Sequence, residues 1–294
     1  MNTPEQSRKF GQGFVYRTHG EHLFDTYGGE VKVRVTHPSL HEIKDPTPIA
    51  IANGWATNSK LMENAADVFA RQGRYVITFD NPRSNAPIDP MQRKVMTLRA
   101  VVNYIASPTD RIDVITLSEG IIPTVLYAEE LHKRGLLSSL RSITAINPAG
   151  VSGRERPLRL AGKMGYEILR TPLHDSVVKM ARTAVASAGY TTSNISLSIR
   201  EVLGIAGSDM AATLLHLQDA GVAIGVGTSR SDVVCRPEQV KSQCAGLALV
   251  REFDGPHSGF MHSDERAERT YEFHQEVVAL AIGGLGKARH AGLR

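Results

Sequence analysis

The sequence predicts an α/β protein: a mostly parallel central sheet, helices on both faces, and a helical cap inserted after the sixth strand. Three observations predict it. From about residue 45 strand-like runs alternate with helix-like runs, and a parallel sheet of that kind needs helices over both faces. The interval 150–220 breaks the alternation with helical patterning and no convincing strand, as expected of an insertion lying over the strand ends. A β-branched run at 112–117 passes through Ser118 into a helical pattern beginning at Ile121, with almost no loop between them.

The elements follow in order. The first part reads as antiparallel strands at 13–18, 22–27 and 31–35, the last with clean alternation. A strand over 48–53 leads to a helix over 59–72, then a strand over 75–80 and a helix over 90–106. After the Ser118 corner and its helix, 142–147 is the next strand, and 222–227 and 247–253 are the last two. The final helix covers 264–282, and the glycine-rich stretch 283–294 reads as a frayed tail. The expected division is a core of 1–149 and 221–294 with a cap of 150–220.

Composition narrows the function classes. Hydrophobic residues at 41% and charged residues at 22% are ordinary globular values. Cys235 and Cys244 are the two cysteines, expected in one helical segment; they form neither a C-x-x-C pair nor a disulfide framework, so a reducing compartment is expected. No apolar run approaches spanning length, and residues 1–10 lack the apolar centre of a signal peptide, giving a cytoplasmic expectation without a membrane span. The formal charge is +4. Residues 151–182 carry seven basic side chains against three acidic ones, either a solvated helical face or a basic lip attracting an anionic substrate. Nucleic acid is not an expected partner, since no aromatic–basic alternation accompanies that charge. A small acyl compound is the expected partner, and a homodimer stays open.

The chemistry concentrates at Thr116-Leu-Ser118-Glu-Gly120, a variant of G-x-S-x-G with threonine in the first glycine position. A serine on a strand-to-helix corner is lifted off the sheet beside the free N–H groups of a helix start. Such a nucleophile needs a base, and the base an orienting carboxylate. Asp232 stands in the loop leaving one late strand and His257, bracketed by Gly255-Pro and Ser-Gly259, in the loop leaving the next. The order Ser118, Asp232, His257 is the serine–acid–histidine order of this architecture. Alternatives are a turn serine, a turn aspartate, and His262 as the competing histidine. Glu119 reads as an acidic residue favoured by the helix dipole.

On these residues the chain resembles the α/β-hydrolase family over roughly 30–282. Asn53-Gly54-Trp55 matches the family's His-Gly-aromatic strand end, with Asn53 in place of histidine, and 79–84 is similar to its aspartate–x–proline–x–glycine turn without the glycine. The resemblance implies an oxyanion hole built from the backbone N–H groups of Trp55 and Glu119. It also implies a serine hydrolase cleaving an ester or thioester through an acyl-enzyme on Ser118, with His257 as base and Asp232 as orienting acid. The alternatives are an acyl-carrier or coenzyme A thioesterase or acyltransferase, and a non-catalytic small-molecule-binding homologue. The substrate contacts are expected somewhere in cap residues 150–220. No cofactor and no metal are expected: H-E-x-x-H, a Walker A loop and a dinucleotide-binding βαβ unit are all absent from the sequence.

Overall fold

The computed structural model describes residues 20–26, 29–38, 43–81, 88–105, 111–170, 188–257 and 263–283. The strand expected over 13–18, the tail beyond 283, His262 and residues 82–84 of the expected turn lie outside the described residues. Among the described residues eight strands form one sheet: β1 (Gly20–Thr26), β2 (Gly29–Thr36), β3 (Asp45–Ala52), β4 (Arg74–Phe79), β5 (Ile112–Leu117), β6 (Leu140–Ile146), β7 (Ala223–Ser229) and β8 (Leu249–Phe253). Their spatial order is β1-β2-β4-β3-β5-β6-β7-β8. β2 runs antiparallel to both β1 and β4, and every other pairing is parallel.

The central strands are apolar on both faces, so the period-2 pleat sends alternate residues into two cores. Ile49, Ile51, Val76 and Ile115 point to one face, where they meet Phe69 of α1 (Glu63–Arg71) and Phe273 and Val277 of the final helix. Ala50, Ala52, Val114, Ile143 and Val226 point to the other, against Leu98 of α2 (Pro90–Ile105) and Val125 of α3 (Ile121–Lys133). After β6 come α4 (Pro157–Arg170), a helical turn over 188–193, α5 (Ile195–Gly207) and α6 (Ala211–Asp219). α7 (Pro237–Gln243) precedes β8 and α8 (Asp264–Gly283) closes the fold.

Two local expectations change. The helix expected over 59–72 is a 3₁₀ turn, Ser59–Met62, followed by α1, because Asn58 caps the turn through its side chain and Met62 starts the α-helix anew. Cys235 and Cys244 do not share a helix. Pro237 is the first residue of α7, so Cys235 lies in the loop before it and Cys244 caps its end.

Candidate active site

Ser118 follows directly on the last residue of β5 and adopts φ +52°, a left-handed conformation that costs a non-glycine residue free energy. The strain is held by close packing beneath it. A Cβ on Gly120 would stand 2.2 Å from the carbonyl oxygen of Ala52, so only glycine lets the turn lie against the end of β3. A Cβ on Gly54 would meet the Leu117 carbonyl oxygen at 3.0 Å and the Ser118 Cβ at 3.1 Å, which brings the loop after β3 against the serine. Thr116, where the usual pattern has glycine, is fully buried. Its register partners on both sides are alanines, Ala52 on β3 and Ala145 on β6, and these small neighbours leave room for its side chain.

The structure brings the three predicted polar side chains into one chain of hydrogen bonds. Ser118 Oγ lies 2.8 Å from His257 Nε2, and His257 Nδ1 lies 2.7 Å from Asp232 Oδ2. The other carboxylate oxygen of Asp232 accepts the backbone N–H groups of Val234 at 2.7 Å and Cys235 at 2.8 Å, which fixes its rotamer. Burial acts to lower the His257 pKa, but the Asp232 carboxylate outweighs it and holds the imidazolium well above the ordinary range. A hydroxyl, an imidazole and a carboxylate in this series can pass a proton from oxygen to nitrogen while the acid steadies the charge.

Trp55 and Glu119, the two predicted backbone donors, flank Ser118. Glu119 is the second residue of a 3₁₀ turn (Ser118–Gly120), where backbone N–H groups have no carbonyl one turn earlier. Asn53, in the place of the histidine, donates from Nδ2 to the Phe79 carbonyl and ties the end of β3 to the end of β4. Asp80 then accepts the Ser59 N–H at 2.6 Å, holding the loop that carries Trp55.

Glu119 stands in the first turn, where the dipole favours an acid, and the structure adds a buried ion pair to that role. Its side chain is buried and bonded by Lys94 Nζ of α2 at 2.6 and 2.8 Å. The same ammonium lies 3.0 Å from Glu201 Oε1 on α5, and the Tyr190 hydroxyl donates to Glu201 at 2.7 Å. Tyr190 stands edge-on to Trp55 with ring centroids 6.0 Å apart. A chain of contacts, polar from Glu119 through Lys94 and Glu201 to Tyr190 and aromatic from Tyr190 to Trp55, thus runs from one predicted donor residue to the other through α2 and α5. Burial pushes the Glu119 carboxyl up to about 7, the Glu201 carboxylate adding to it and Lys94 opposing.

Further site residues escape a sequence reading. Asn147, at φ +47°, accepts the Ser229 N–H at 2.6 Å and donates to the His257 carbonyl at 2.6 Å, so it joins the ends of β6 and β7 to the histidine loop. Glu167 on α4 accepts the His257 N–H at 2.8 Å. A strand-end asparagine before proline was a usable signal for Asn147, whereas nothing local marks Glu167. Of the seven basic residues in the proposed lip, Arg154 and Arg156 are exposed, while Arg159 and Lys163 both pair with Glu155. Lys179 and Arg182 lie outside the described residues.

No protein-family model matches the chain, and no curated protein sequence matches it either. Solved structures do. A bromoperoxidase from Bacillus anthracis aligns with TM-score 0.65 at 12% identity, covering 87% of this chain and 100% of its own. An esterase from Exiguobacterium antarcticum aligns with TM-score 0.65 at 14% identity, covering 88% and 99%. The enol-lactonase from Burkholderia xenovorans LB400 aligns with TM-score 0.59 at 16% identity, covering 88% and 100%. With the strand order described above, these alignments show that the chain has the α/β-hydrolase fold. Among the described residues no helix is long and apolar enough to cross a membrane.

Proposed function

We propose that the protein is a serine hydrolase acting on an ester or thioester. The observation that carries this reading is the Ser118–His257–Asp232 hydrogen-bond chain mounted on a left-handed corner at the end of β5. Ser118 Oγ attacks the acyl carbonyl while His257 Nε2 takes its proton. Asp232 keeps Nδ1–H oriented and stabilises the imidazolium. The N–H groups of Trp55 and Glu119 receive the oxyanion. The imidazolium then protonates the leaving oxygen or sulfur, and water, deprotonated by His257, releases the acid and restores Ser118. Esterases and an enol-lactonase among the structurally similar proteins favour an ester-like bond as the target.

Residues 150–220 serve in this reading as the cap over the site. Three contacts support that role: Glu167 to the His257 backbone, Glu201 to Lys94, and Tyr190 against Trp55. α6, within the same interval, packs instead on α3 and β7 and so anchors the cap to the core.

Fluorophosphonate labelling and p-nitrophenyl ester hydrolysis test the proposal. Ser118→Ala removes the label and lowers hydrolysis by about 10⁴-fold or more. His257→Ala does the same, while His262→Ala keeps most activity. The base must be unprotonated and its pKa is raised, so kcat/KM climbs as pH rises beyond the ordinary 6.5 of imidazole. Undiminished labelling of Ser118→Ala would overturn the assignment.

A further inference from the structure

Cys235 has no part in the mechanism above, yet its sulfur stands beside the two residues that do the proton work. The Cys235 Sγ, one His257 ring nitrogen and one Asp232 carboxylate oxygen all lie within 4.8 Å of one another. Thiolate, imidazole and carboxylate together are the donor set of borderline-soft divalent cations, not of magnesium or calcium. We propose that Asp232, Cys235 and His257 form an inhibitory site for a single Zn²⁺-type cation that switches the serine off reversibly.

The geometry suits three-ligand coordination with an open fourth position. Bonds of roughly 2.0 Å to N and O and 2.3 Å to S set tetrahedral ligand atoms roughly 3.3–3.7 Å apart. The three ligand atoms lie within 4.8 Å of one another, so side-chain shifts of roughly 1 Å bring them to that spacing. The His257 Nδ1–Asp232 Oδ2 pair, at 2.7 Å, needs to open by roughly 0.6 Å for such a tetrahedron. Two of the three ligands are held in place beforehand. The backbone N–H groups of Val234 and Cys235 grip Asp232, while Glu167 and Asn147 grip the His257 backbone. Charge also balances, since one carboxylate and one thiolate neutralise a dication and leave a neutral buried assembly.

A narrow cleft between the 149–155 loop, α4 and α5 is lined at its inner end by Val234 and Cys235. Glu155 lines it, with Lys163 Nζ 2.7 Å from Glu155 Oε2 and 3.5 Å from the Val234 carbonyl. The ionisable groups around the site are therefore Glu155, Lys163 and Glu167, one cation among two carboxylates.

Coordination would silence the base by a definite route. The thiol proton leaves to solvent and the metal takes the Nδ1 lone pair. From the imidazolium, the Nδ1 proton also leaves; from the neutral Nδ1–H tautomer it passes to Nε2. In either case Nε2 ends protonated and donates to Ser118 instead of accepting from it. That consequence rests on the serine-hydrolase reading, whereas binding itself does not.

Cobalt(II) is the probe, because a thiolate ligand gives it a near-ultraviolet sulfur-to-metal charge-transfer band. Titration of the full chain should give that band at one Co²⁺ per chain. Cys235→Ser and Cys235→Ala should lose it, and Cys244→Ser should keep it. Ser118→Ala should keep it too, so a failure of the hydrolase reading leaves the binding test standing. Added Zn²⁺ should stop fluorophosphonate labelling of the unmodified chain, a chelator should restore it, and Cys235→Ala should be insensitive. Absence of the band in the unmodified chain overturns the site without recourse to any variant. A band that survives in both Cys235 variants, or one lost in Cys244→Ser, overturns it as well. Labelling unaffected by Zn²⁺ in a chain that binds Co²⁺ overturns the inhibition alone.

Discussion

The sheet carries a buried charge cluster at each end, and the two are built differently. At the end where the parallel strands begin, Asp45 opens β3, Arg74 opens β4, Asp113 is second in β5 and Arg141 second in β6. Arg74 reaches Asp113 at 2.6 Å, Arg141 bridges Asp45 and Asp113, and Ser142 Oγ donates to Asp113 at 2.6 Å. His274 of α8 adds a contact to Thr144 at 2.9 Å. Nearly every member is placed by strand register. At the other end Lys94, Glu119, Glu201 and Tyr190 come from α2, the serine corner, α5 and the turn before α5. One cluster is a consequence of the sheet; the other is completed only by Glu201 and Tyr190, which come from the segment after β6. Burial of charge at the first end therefore reads as architecture, and at the second as support for the site.

Removing one partner separates these roles, with the largest effect at the architectural end. Asp113→Ala takes the nearer carboxylate from the fully buried Arg74 and leaves it only Asp45, 3.6 Å away, a change that costs about 3–5 kcal/mol. Urea unfolding should show that loss as a lower midpoint, while fluorophosphonate labelling per folded molecule stays at the unmodified rate. Labelling that falls before stability does would dissolve the distinction between the two ends.

Lys94→Met is the matching change beside the serine, and its stability cost should be smaller, about 1–3 kcal/mol, because burial already raises the Glu119 carboxyl and lets it take up a proton. Its effect on hydrolysis should be the greater one, since Glu119 carries a proposed oxyanion N–H. The two ends also answer pH with opposite sign. Burial raises the Asp113 pKa, but Arg141, His274 and Arg74 prevail and hold it far below the ordinary 3.8. Its stabilisation is thus complete above about 4 and drains away as pH falls toward the folded value. Glu119 is raised from 4.5 to about 7, so its contribution is complete below 4.5 and is lost as pH rises through about 7. Unfolding free energies followed across pH should lose their slope between those limits in Glu119→Gln, and at acid pH in Asp113→Asn. The same slope change in both variants would mean that the clusters titrate as one.

What the sequence discloses divides along the same line. Strands such as β2 (Gly29–Thr36) and β5 (Ile112–Leu117) are legible because their β-branched residues recur with the pleat, and local pattern is all they need. Ser118 is legible because strand, corner and Gly120 are contiguous, and Asp232 and His257 because each follows a strand in the expected order. Lys94 and Glu119 are 25 residues apart and Arg74 and His274 are 200 apart, so their pairing depends on topology that no window reveals. One trace was present: Lys94 stands on the apolar stripe of α2 formed by Met91, Val95, Leu98 and Val102, where a charge demands a buried partner. The contacts of Tyr190 with Trp55 and of Glu167 with the His257 backbone left no comparable trace.

The smallest effect should come from the departure that stands out most in the sequence. If the site end depends on packing around the corner and not on the first glycine of the motif, Thr116→Gly will change little chemically. Thr116 lies between Ala52 and Ala145 and its methyl group fills space that glycine would leave empty. Losing that burial and adding backbone freedom to the unfolded chain together cost about 1–2 kcal/mol. The Ser118 corner is held by Gly120 against Ala52 and by Gly54 against Leu117, neither of which changes. Labelling of Ser118 should therefore stay within about threefold of the unmodified rate, a difference under 1 kcal/mol in barrier. A large gain in rate would show that Thr116 holds the corner away from its productive geometry, and that the strain at Ser118 is set from within β5 and not by the chain packed around it.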